Sequence, residues 1–297
     1  MKKVVALIVL TAVIFATMEV ALKTAGAQLD SLQLTFLRFL LGGLVLLPPS
    51  MIECRKSGYR MNARDLGWVT LVGTMGIPVS MLSYQIGVMH CNAATAAPLI
   101  CTNPLFTMLI AHFLLGQKMN RRKWVAFCIG LVAILLMIRP WDVQPGNTPF
   151  GIAILIFAAV TFGAYSVMGK RSIARIGTFT QTSVSFITGS LILLVIMILT
   201  GHSATAGISQ NLGVIIYCGI VVTGIGYLTY FLAIRYSDAV TGSITFFIKP
   251  AIAPVFAILI LHETIYWNTV AGIILLITAS FLTITGSASG NTAGKES

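Results

Sequence analysis

The sequence predicts an all-α integral membrane protein with ten transmembrane helices in two inverted five-helix repeats. The composition, the spacing of the apolar runs and an internal duplication lead to this prediction. Apolar residues make up 57% of the 297 residues and charged residues only 9%, with a mean hydropathy of +0.93. Because a soluble globular chain carries about 25% charged residues, this composition excludes a soluble fold and indicates a protein that spans the bilayer.

Apolar runs long enough to cross the roughly 30 Å hydrocarbon core of a bilayer recur along the whole chain. The connections between them are short, which leaves no room for a soluble domain. The predicted spans, numbered 1 to 10 in chain order, cover residues 4–26, 32–52, 66–89, 93–116, 122–139, 149–170, 180–200, 212–235, 239–261 and 267–287.

The second half of the chain repeats the first, at an offset of 147 residues early on and 146 later. Each copy holds an odd number of spans, so the second copy must cross the membrane in the opposite sense, as in many secondary transporters. We expect the repeats at 1–143 and 147–288, followed by a disordered tail at 289–297. The matched pairs are Phe15 with Phe162, Lys23 with Lys170, Phe39 with Phe186, Gly42 with Gly189, Gly73 with Gly219, Tyr84 with Tyr230, Thr95 with Thr241 and Pro104 with Pro250.

Span 1 has some features of a cleaved signal peptide, with basic residues before it and Ala25-Gly26-Ala27 after it. We nevertheless expect it to be retained, because it is long, contains Glu19 and Lys23, and matches span 6 in the repeat.

The four tryptophans all fall at ends of predicted spans, as expected for amphipathic rings at the membrane interface. They are Trp68 in span 3, Trp124 in span 5, Trp141 after span 5 and Trp267 in span 10.

The net charge of +11 follows the membrane topology and does not indicate a nucleic-acid partner. Of the 19 basic residues, 15 fall on one side of the predicted arrangement. The positive-inside rule makes that side the cytoplasm, so both termini are predicted to be cytoplasmic and the protein multi-pass in the cell membrane. The 15 are Lys2, Lys3, Arg55, Lys56, Arg60, Arg64, Lys118, Arg121, Arg122, Lys123, Lys170, Arg171, Arg175, Arg235 and Lys295.

Ionisable side chains inside spans are the main candidates for function, since each costs about 2.5–3.5 kcal/mol to insert. Glu19 and Arg38 both lie about 10 Å below the outer ends of spans 1 and 2, at 1.5 Å per residue. An ion pair between them is predicted as either a structural lock or a gate that exchanges partners with substrate or proton. Lys23 is interpreted as reaching toward the interface.

Lys249 is the strongest candidate for binding substrate, because it lies near the middle of span 9 and precedes Pro250. Asn103 before Pro104 occupies the matching place in span 4. Prolines leave a carbonyl without its helical donor, and broken helices at mid-membrane often build binding sites. The two polar residues could therefore hold a carboxylate, or Lys249 could simply pair with Glu19.

Four further polar residues are predicted to line the same cavity. Thr107 and Thr245 lie one helical turn from Asn103 and Lys249, on the same faces. Tyr84 and Tyr230 are related by the repeat and could direct hydroxyl groups inward, although aromatic packing is an equal alternative. The cysteines and histidines are too scattered for a metal site, so no metal or other cofactor is predicted.

The chain resembles the EamA-type members of the drug/metabolite transporter superfamily over its whole length. The resemblance rests on the two five-span repeats, the prolines of spans 4 and 9, Gly130 matched by Gly272, and the segment Pro250-Ala-Ile-Ala-Pro-Val-Phe-Ala-Ile-Leu-Ile-Leu-His-Glu263. It implies that spans 1–4 and 6–9 line a central cavity, with spans 5 and 10 outside. One departure is Gln117, where the family's pattern has an acidic residue matching Glu263.

These observations predict a secondary transporter that exports small polar metabolites by alternating access, with amino acids or other carboxylate-bearing solutes as leading substrates. The absence of an ATP-binding motif makes a proton or solute gradient the energy source. One alternative is efflux of cationic drugs, since a first-helix glutamate binds drugs and protons in the related small multidrug resistance proteins. A channel or a membrane-embedded enzyme is a weaker alternative. The oligomeric state does not follow from the sequence.

Overall fold

The computed structural model describes residues 2–116, 119–139, 145–243, 245–262 and 264–293, and within these ranges it is helical without strands. Helices fall at every predicted span, and the span numbers are kept below. In order they are Lys2–Ala16 with Met18–Gly26; Ser31–Ser57; Ala63–Thr74, π-helical Met75–Met81 and Leu82–Met89; Ala93–Ile100 with Asn103–Leu115; Arg121–Ile138; Pro149–Ile176; Thr178–Thr200; Ser209–Asn211, Leu212–Ile216, π-helical Tyr217–Ile225 and Gly226–Tyr236; Ala239–Ser243 with Thr245–Leu261; and Trp267–Ala293.

Seven of the described spans (1–4 and 6–8) are long and apolar enough to cross a membrane, and Trp267–Ala279 is a shorter apolar helix. Span 5 opens on Arg121, Arg122 and Lys123, which lowers its apolar character. Span 9 is described as Ala239–Ser243 and Thr245–Leu261, with residue 244 outside the described residues. The prediction of ten spans fits this pattern.

The packing of the spans follows the duplication. Span 2 packs on span 7, span 5 on span 10 and span 4 on span 9, so each of these spans contacts its own repeat counterpart. The contacts of span 1 with spans 8 and 9 recur as those of span 6 with spans 3 and 4. Phe39 of span 2 and Phe186 of span 7 are counterparts, and their rings meet edge to face at 4.8 Å. The protein is therefore two copies of one five-span unit around a pseudo-twofold axis.

The side-chain contacts at the two ends of the molecule show that the copies are inverted. At the end of span 2, Glu53 accepts hydrogen bonds from the backbone N–H of Thr178 and Thr180 as span 7 begins. At the start of span 2, Asp30 lies 3.3 Å from His202, where span 7 has ended. We call the end of the molecule that holds Glu53 the basic end. The connections at residues 58–62 and 237–238 lie there, together with many of the arginines and lysines.

Two repeat-related lysines hold opposite ends of the molecule. Lys23 donates to the carbonyl of Cys91, just after span 3, at 3.1 Å. Its counterpart Lys170 donates to the carbonyl of Ser237, just after span 8, at 2.9 Å. The first contact lies at the end opposite the basic end and the second lies at the basic end. The same structural unit is thus placed upside down in the second copy.

Repeat-related glycines allow the closest approaches between spans. A Cβ atom built on Gly42 would meet the Gly219 carbonyl oxygen at 3.0 Å, and one built on Gly189 would meet the Gly73 carbonyl oxygen at 2.7 Å. These are the contacts of span 2 with span 8 and of span 7 with span 3, which the repeat relates. Small residues let membrane helices approach closely enough for backbone packing to stabilise them.

We expect Gly73→Ala to destabilise the protein by about 1–3 kcal/mol, the usual cost of overpacking. Its new methyl group would overlap the backbone carbonyl of Ser185, which cannot move aside cheaply. Thermal unfolding in detergent measures the effect. Gly67→Ala in the same helix is the matched control, because nothing lies within 4 Å of a Cβ there and alanine favours the helix over glycine. Equal melting temperatures for the two variants would contradict the assigned contact.

The structure corrects the prediction of a helix break at Pro250. The helix Thr245–Leu261 continues through this residue. A proline in a membrane helix removes one backbone donor, and packed neighbours tolerate that loss. Pro104 does follow a break, since it occupies the first turn of Asn103–Leu115 after Ile100 ends the previous helix.

Some sequence expectations concern parts of the chain that are not described. Gln117, Lys118, Trp141, Glu263 and Lys295 lie outside the described residues. The last helix ends at Ala293, and the rest of the predicted tail at 289–297 lies outside the described residues.

Candidate functional site

The candidate site begins at an interruption of span 1. The first helix ends at Ala16 and the second begins at Met18. Between them, the Thr17 hydroxyl donates to the carbonyl of Ile14 and lies 2.6 Å from the hydroxyl of Tyr217. Glu19 lies two residues after Thr17, in the first turn of the helix Met18–Gly26.

Glu19 is the acceptor at the centre of the site. Its Oε1 atom accepts a hydrogen bond from Lys249 Nζ of span 9 and another from the Tyr84 hydroxyl of span 3. All three residues are almost fully buried, and Lys249 Nζ lies 5.9 Å from the centre of the Tyr84 ring. Spans 1, 3 and 9 are thus joined by one charge-assisted cluster, which we call the central triad: Glu19, Tyr84 and Lys249.

The predicted ion pair between Glu19 and Arg38 is wrong, because Lys249 occupies that role. Arg38 is close enough to interact electrostatically with Glu19, but its Nη1 atom points to the Met18 sulfur at 3.9 Å. Its guanidinium lies over the Phe39 ring, 4.6 Å from the ring centre. Glu19 is instead directed toward spans 3 and 9, where Tyr84 and Lys249 donate to it.

Arg38 is fully buried, and its Nε and Nη2 atoms have no hydrogen-bond partner among the described residues. Within the described ranges, the buried charged residues are Glu19, Arg38, Lys249 and, near the basic end, Asp65. Lys249 neutralises Glu19, so the centre retains one positive charge, on Arg38. A buried charge without a partner is costly, and this arrangement favours an anion beside it.

The repeat preserves the tyrosine of the central triad but not its charges. Tyr230, the counterpart of Tyr84, lies 2.8 Å from the hydroxyl of Ser166. Ser166 occupies the position that corresponds to Glu19. The same tyrosine hydrogen bond therefore exists in both copies, with a carboxylate in one and a hydroxyl in the other. Each tyrosine hydroxyl therefore contacts a polar side chain of the first span of its own repeat, and a role in lining a solute cavity stays a prediction.

The other predicted lining residues are buried in spans 4 and 9. Asn103 donates to the carbonyl of Ile100 at 2.9 Å, and its Oδ1 atom has no partner among the described residues. Thr107 donates to the carbonyl of Asn103, so its hydroxyl is used within the helix. The Thr245 hydroxyl is buried without a partner within the described ranges. Asn103 and Thr245 thus keep polar atoms available, and Thr107 does not.

Two further buried polar residues, in the spans around the site, were not predicted from the sequence. Gln85 follows Tyr84, and both atoms of its amide lack partners in the described part of the chain. Thr223 lies in the π-helical part of span 8 beside Gly42, and its hydroxyl has no partner there either. Single π-helical turns often mark functional sites. Gln85 could have been found as an uncharged polar residue in an apolar run, but the π-helical turn has no clear sequence signal.

A cluster of aromatic rings packs between spans 1, 6, 8 and 9. Phe15 contacts Tyr227 at 5.0 Å and Phe246 at 5.6 Å, and Phe162 contacts Phe246 at 5.1 Å. With the central triad itself inaccessible to solvent and both repeat-related lysine contacts in place, the structure describes a closed centre. A solute could reach it only after one end has opened.

The EamA-like transporter family matches this chain twice, over residues 2–139 and 149–285. An uncharacterized transporter of Clostridium kluyveri is 34% identical over 98% of this chain and 96% of its own length. A probable terminal-alkyne amino-acid exporter of Streptantibioticus cattleyicolor is 24% identical over 69% of this chain and 68% of its own. An S-adenosylmethionine uptake transporter of Rickettsia prowazekii is 25% identical over 53% of this chain and 51% of its own.

A crystal structure with 17% sequence identity matches with a TM-score of 0.70, covering 95% of this chain and 96% of the other. At that identity the match shows the fold alone. The family match confirms the resemblance found in the sequence, and the relatives are transporters rather than enzymes. With two matched repeats that together span nearly the whole chain, this protein belongs to the EamA-like transporter family.

Proposed function

We propose that this transporter is a secondary active exporter of small carboxylate-bearing metabolites, with amino acids as the leading class, and that it works by alternating access. One observation carries the proposal: the closed centre holds a buried cation, Arg38, that no described acidic residue neutralises. A guanidinium edge with two free donors matches the two oxygens of a carboxylate. An anionic substrate would complete the charge balance of the centre.

The proposed mechanism uses the central triad as an exchangeable ion pair. A substrate carboxylate binds Arg38, while Asn103 and Thr245 offer an acceptor and a donor to its other polar groups. An α-amino group can take the place of Lys249 beside Glu19, which releases Lys249 from the pair. Because the triad joins span 1 to spans 3 and 9, its rearrangement loosens the contacts that hold the centre closed. A proton or solute gradient would supply the energy.

Two relatives support the substrate class. The names of the Streptantibioticus and Rickettsia proteins refer to an amino acid and to S-adenosylmethionine, and both compounds carry an amino-acid group. One is named an exporter and the other an uptake transporter, so direction varies among relatives. We propose export for this chain as the direction more common in transporters of this type.

Efflux of lipophilic cations is the second candidate function. Glu19 favours it, since a buried carboxylate can bind a cation. Its Oε1 atom already accepts from Lys249, and Arg38 adds a further positive charge nearby. A cationic drug would therefore have to displace one cation and lie beside another, which makes this function less favourable than anion binding.

Counterflow into proteoliposomes tests the proposed function. Vesicles loaded with a pool of unlabelled amino acids and short carboxylates should take up the labelled compounds faster than empty vesicles, because a carrier exchanges its substrate across the membrane. A channel shows no such stimulation. Stimulated uptake of tetraphenylphosphonium, with none for any carboxylate, would replace the proposal with cation efflux.

We also propose that the protein lies in the cell membrane with the basic end in the cytoplasm, as the positive-inside rule indicates. Arg60→Cys and Ala206→Cys, each in a variant without native cysteines, test this orientation with a membrane-impermeant maleimide. Position 206 should be labelled in intact cells, and position 60 only after permeabilisation. Both residues are exposed and lie at opposite ends. The opposite labelling pattern would reverse the proposed topology.

A further inference from the structure

A cavity of about 530 Å³ lies near the basic end, away from the central triad. It opens between the first turns of span 3 and the last turns of span 6. No residue of the triad borders it. Its lining consists of Arg64, Asp65, Gly67, Trp68, Val69, Leu71, Arg171, Ser172, Arg175 and Ile176.

The charge of this cavity is positive. Among the described lining residues, the acidic residue is Asp65. Its carboxylate already has two partners, since it pairs with Arg175 and accepts a hydrogen bond from the Tyr59 hydroxyl. Arg64 and Arg171 then remain as two positive charges without an acidic partner among the described residues. Arginine pairs suit the oxygens of a phosphate group better than lysines do, because the planar guanidinium presents several donors at once.

Trp68 adds an unused hydrogen-bond donor to the same cavity. Its indole Nε1 atom is buried and has no partner in the described part of the chain. The guanidinium of Arg171 lies 5.4 Å from the centre of its ring. Buried tryptophan N–H groups normally have an acceptor, so an oxygen atom beside Trp68 and Arg171 would satisfy both.

Exposed apolar residues lie beside the cavity. Leu71 borders the cavity and is 50% exposed, and the neighbouring Leu66 is 44% exposed. Gly67 has no atom within 4 Å of the position of a Cβ. Trp68 lies about one and a half turns into span 3, the depth at which tryptophans meet the lipid headgroups. The cavity thus has cations at headgroup depth and apolar surface next to them on the membrane side.

We propose that this cavity binds the phosphate of an anionic phospholipid, with Arg64, Arg171 and the Trp68 N–H on the phosphate oxygens and an acyl chain along Leu71. Basic pockets between spans on the cytoplasmic side of membrane proteins hold such headgroups. A free phosphate would use the same donors but leave Leu71 exposed. The lipid is therefore the better-matched ligand.

Native mass spectrometry of the purified full-length protein in mixed micelles tests the proposal. Dioleoylphosphatidylglycerol should form a retained one-to-one adduct and raise the melting temperature, while dioleoylphosphatidylcholine and inorganic phosphate should do neither. Arg171→Gln should weaken phosphatidylglycerol binding about fivefold, the effect of removing one cation near a membrane surface. Gly67→Phe should block the cavity without changing any charge, and its melting temperature without lipid should stay that of the wild type.

The matched control is Arg121→Gln, which removes an exposed arginine at the start of span 5 and should leave lipid binding unchanged. Equal retention of the two lipids would overturn the proposal. So would unchanged phosphatidylglycerol binding in both Arg171→Gln and Gly67→Phe, because the lipid would then lie elsewhere. Stabilisation by inorganic phosphate alone, lost in Arg171→Gln, would assign the cavity to a free anion instead.

Discussion

Lys249→Ala should reduce transport by roughly 100-fold while the protein still inserts and folds. A hydrogen bond to a charged group contributes about 1.5–3 kcal/mol, and Lys249 makes the charged contact to Glu19 that ties span 9 to span 1. Counterflow measures transport, and size-exclusion chromatography with thermal unfolding measures folding. Uptake kinetics equal to those of the wild type would remove Lys249 from the mechanism.

A double variant separates a functional from a structural role for this pair. Removing one member of a buried ion pair destabilises a protein by about 3–5 kcal/mol, whereas replacing both by neutral residues is often tolerated. Glu19→Gln combined with Lys249→Met should therefore recover most of the stability that Lys249→Ala loses. It should remain inactive in counterflow. Recovery of both stability and transport would make the pair a structural lock.

Arg38→Gln should weaken the binding of carboxylate substrates by roughly 10- to 150-fold, the loss of about 1.5–3 kcal/mol from a charge-assisted contact. The variant keeps a polar side chain of similar reach but removes the charge. KM should rise much more than the maximal rate falls. Arg38→Lys should be intermediate, because it keeps the charge without the paired donors.

The sharpest measurement for Arg38 compares each substrate with its amide. The wild type should strongly prefer the carboxylate, and Arg38→Gln should lose most of that preference. Arg121→Gln, at an exposed position, should keep it. An equal loss for the carboxylate and the amide would show that Arg38 supports the fold of span 2 and does not read the substrate's charge.

The positions of the spans could be predicted because hydrocarbon thickness and apolar run length are linked directly. Glu19, Arg38 and Lys249 could be selected because buried charge in a membrane is expensive wherever it occurs. The partners of Glu19 could not be predicted. They depend on which faces of spans 3 and 9 meet span 1.

The sequence also could not show that Arg38 has no acidic hydrogen-bond partner among the described residues. Pairing by proximity along the chain favoured Glu19, because spans 1 and 2 are joined by a short turn. In the fold, Glu19 pairs instead with Lys249, which lies more than two hundred positions away in the chain. The prediction of a helix break at Pro250 was wrong for a related reason. A local rule about proline was applied where packing from neighbouring spans decides the outcome.

Tyr84 hydrogen-bonds a carboxylate, Glu19, whereas its counterpart Tyr230 hydrogen-bonds a hydroxyl, Ser166. This difference between the two copies has a consequence for transport kinetics. In a carrier with identical halves, opening to either side would present a solute with the same surroundings, and half-saturating concentrations would be equal on both faces of the membrane. Here the acid lies only in the first copy and the lysine only in the second. The two faces are therefore expected to bind the same solute with unequal strength. In the proposed carrier, this unequal binding would be balanced at equilibrium by different reorientation equilibria of the empty and the loaded protein. Net transport would then be faster in one direction than in the other without breaking detailed balance.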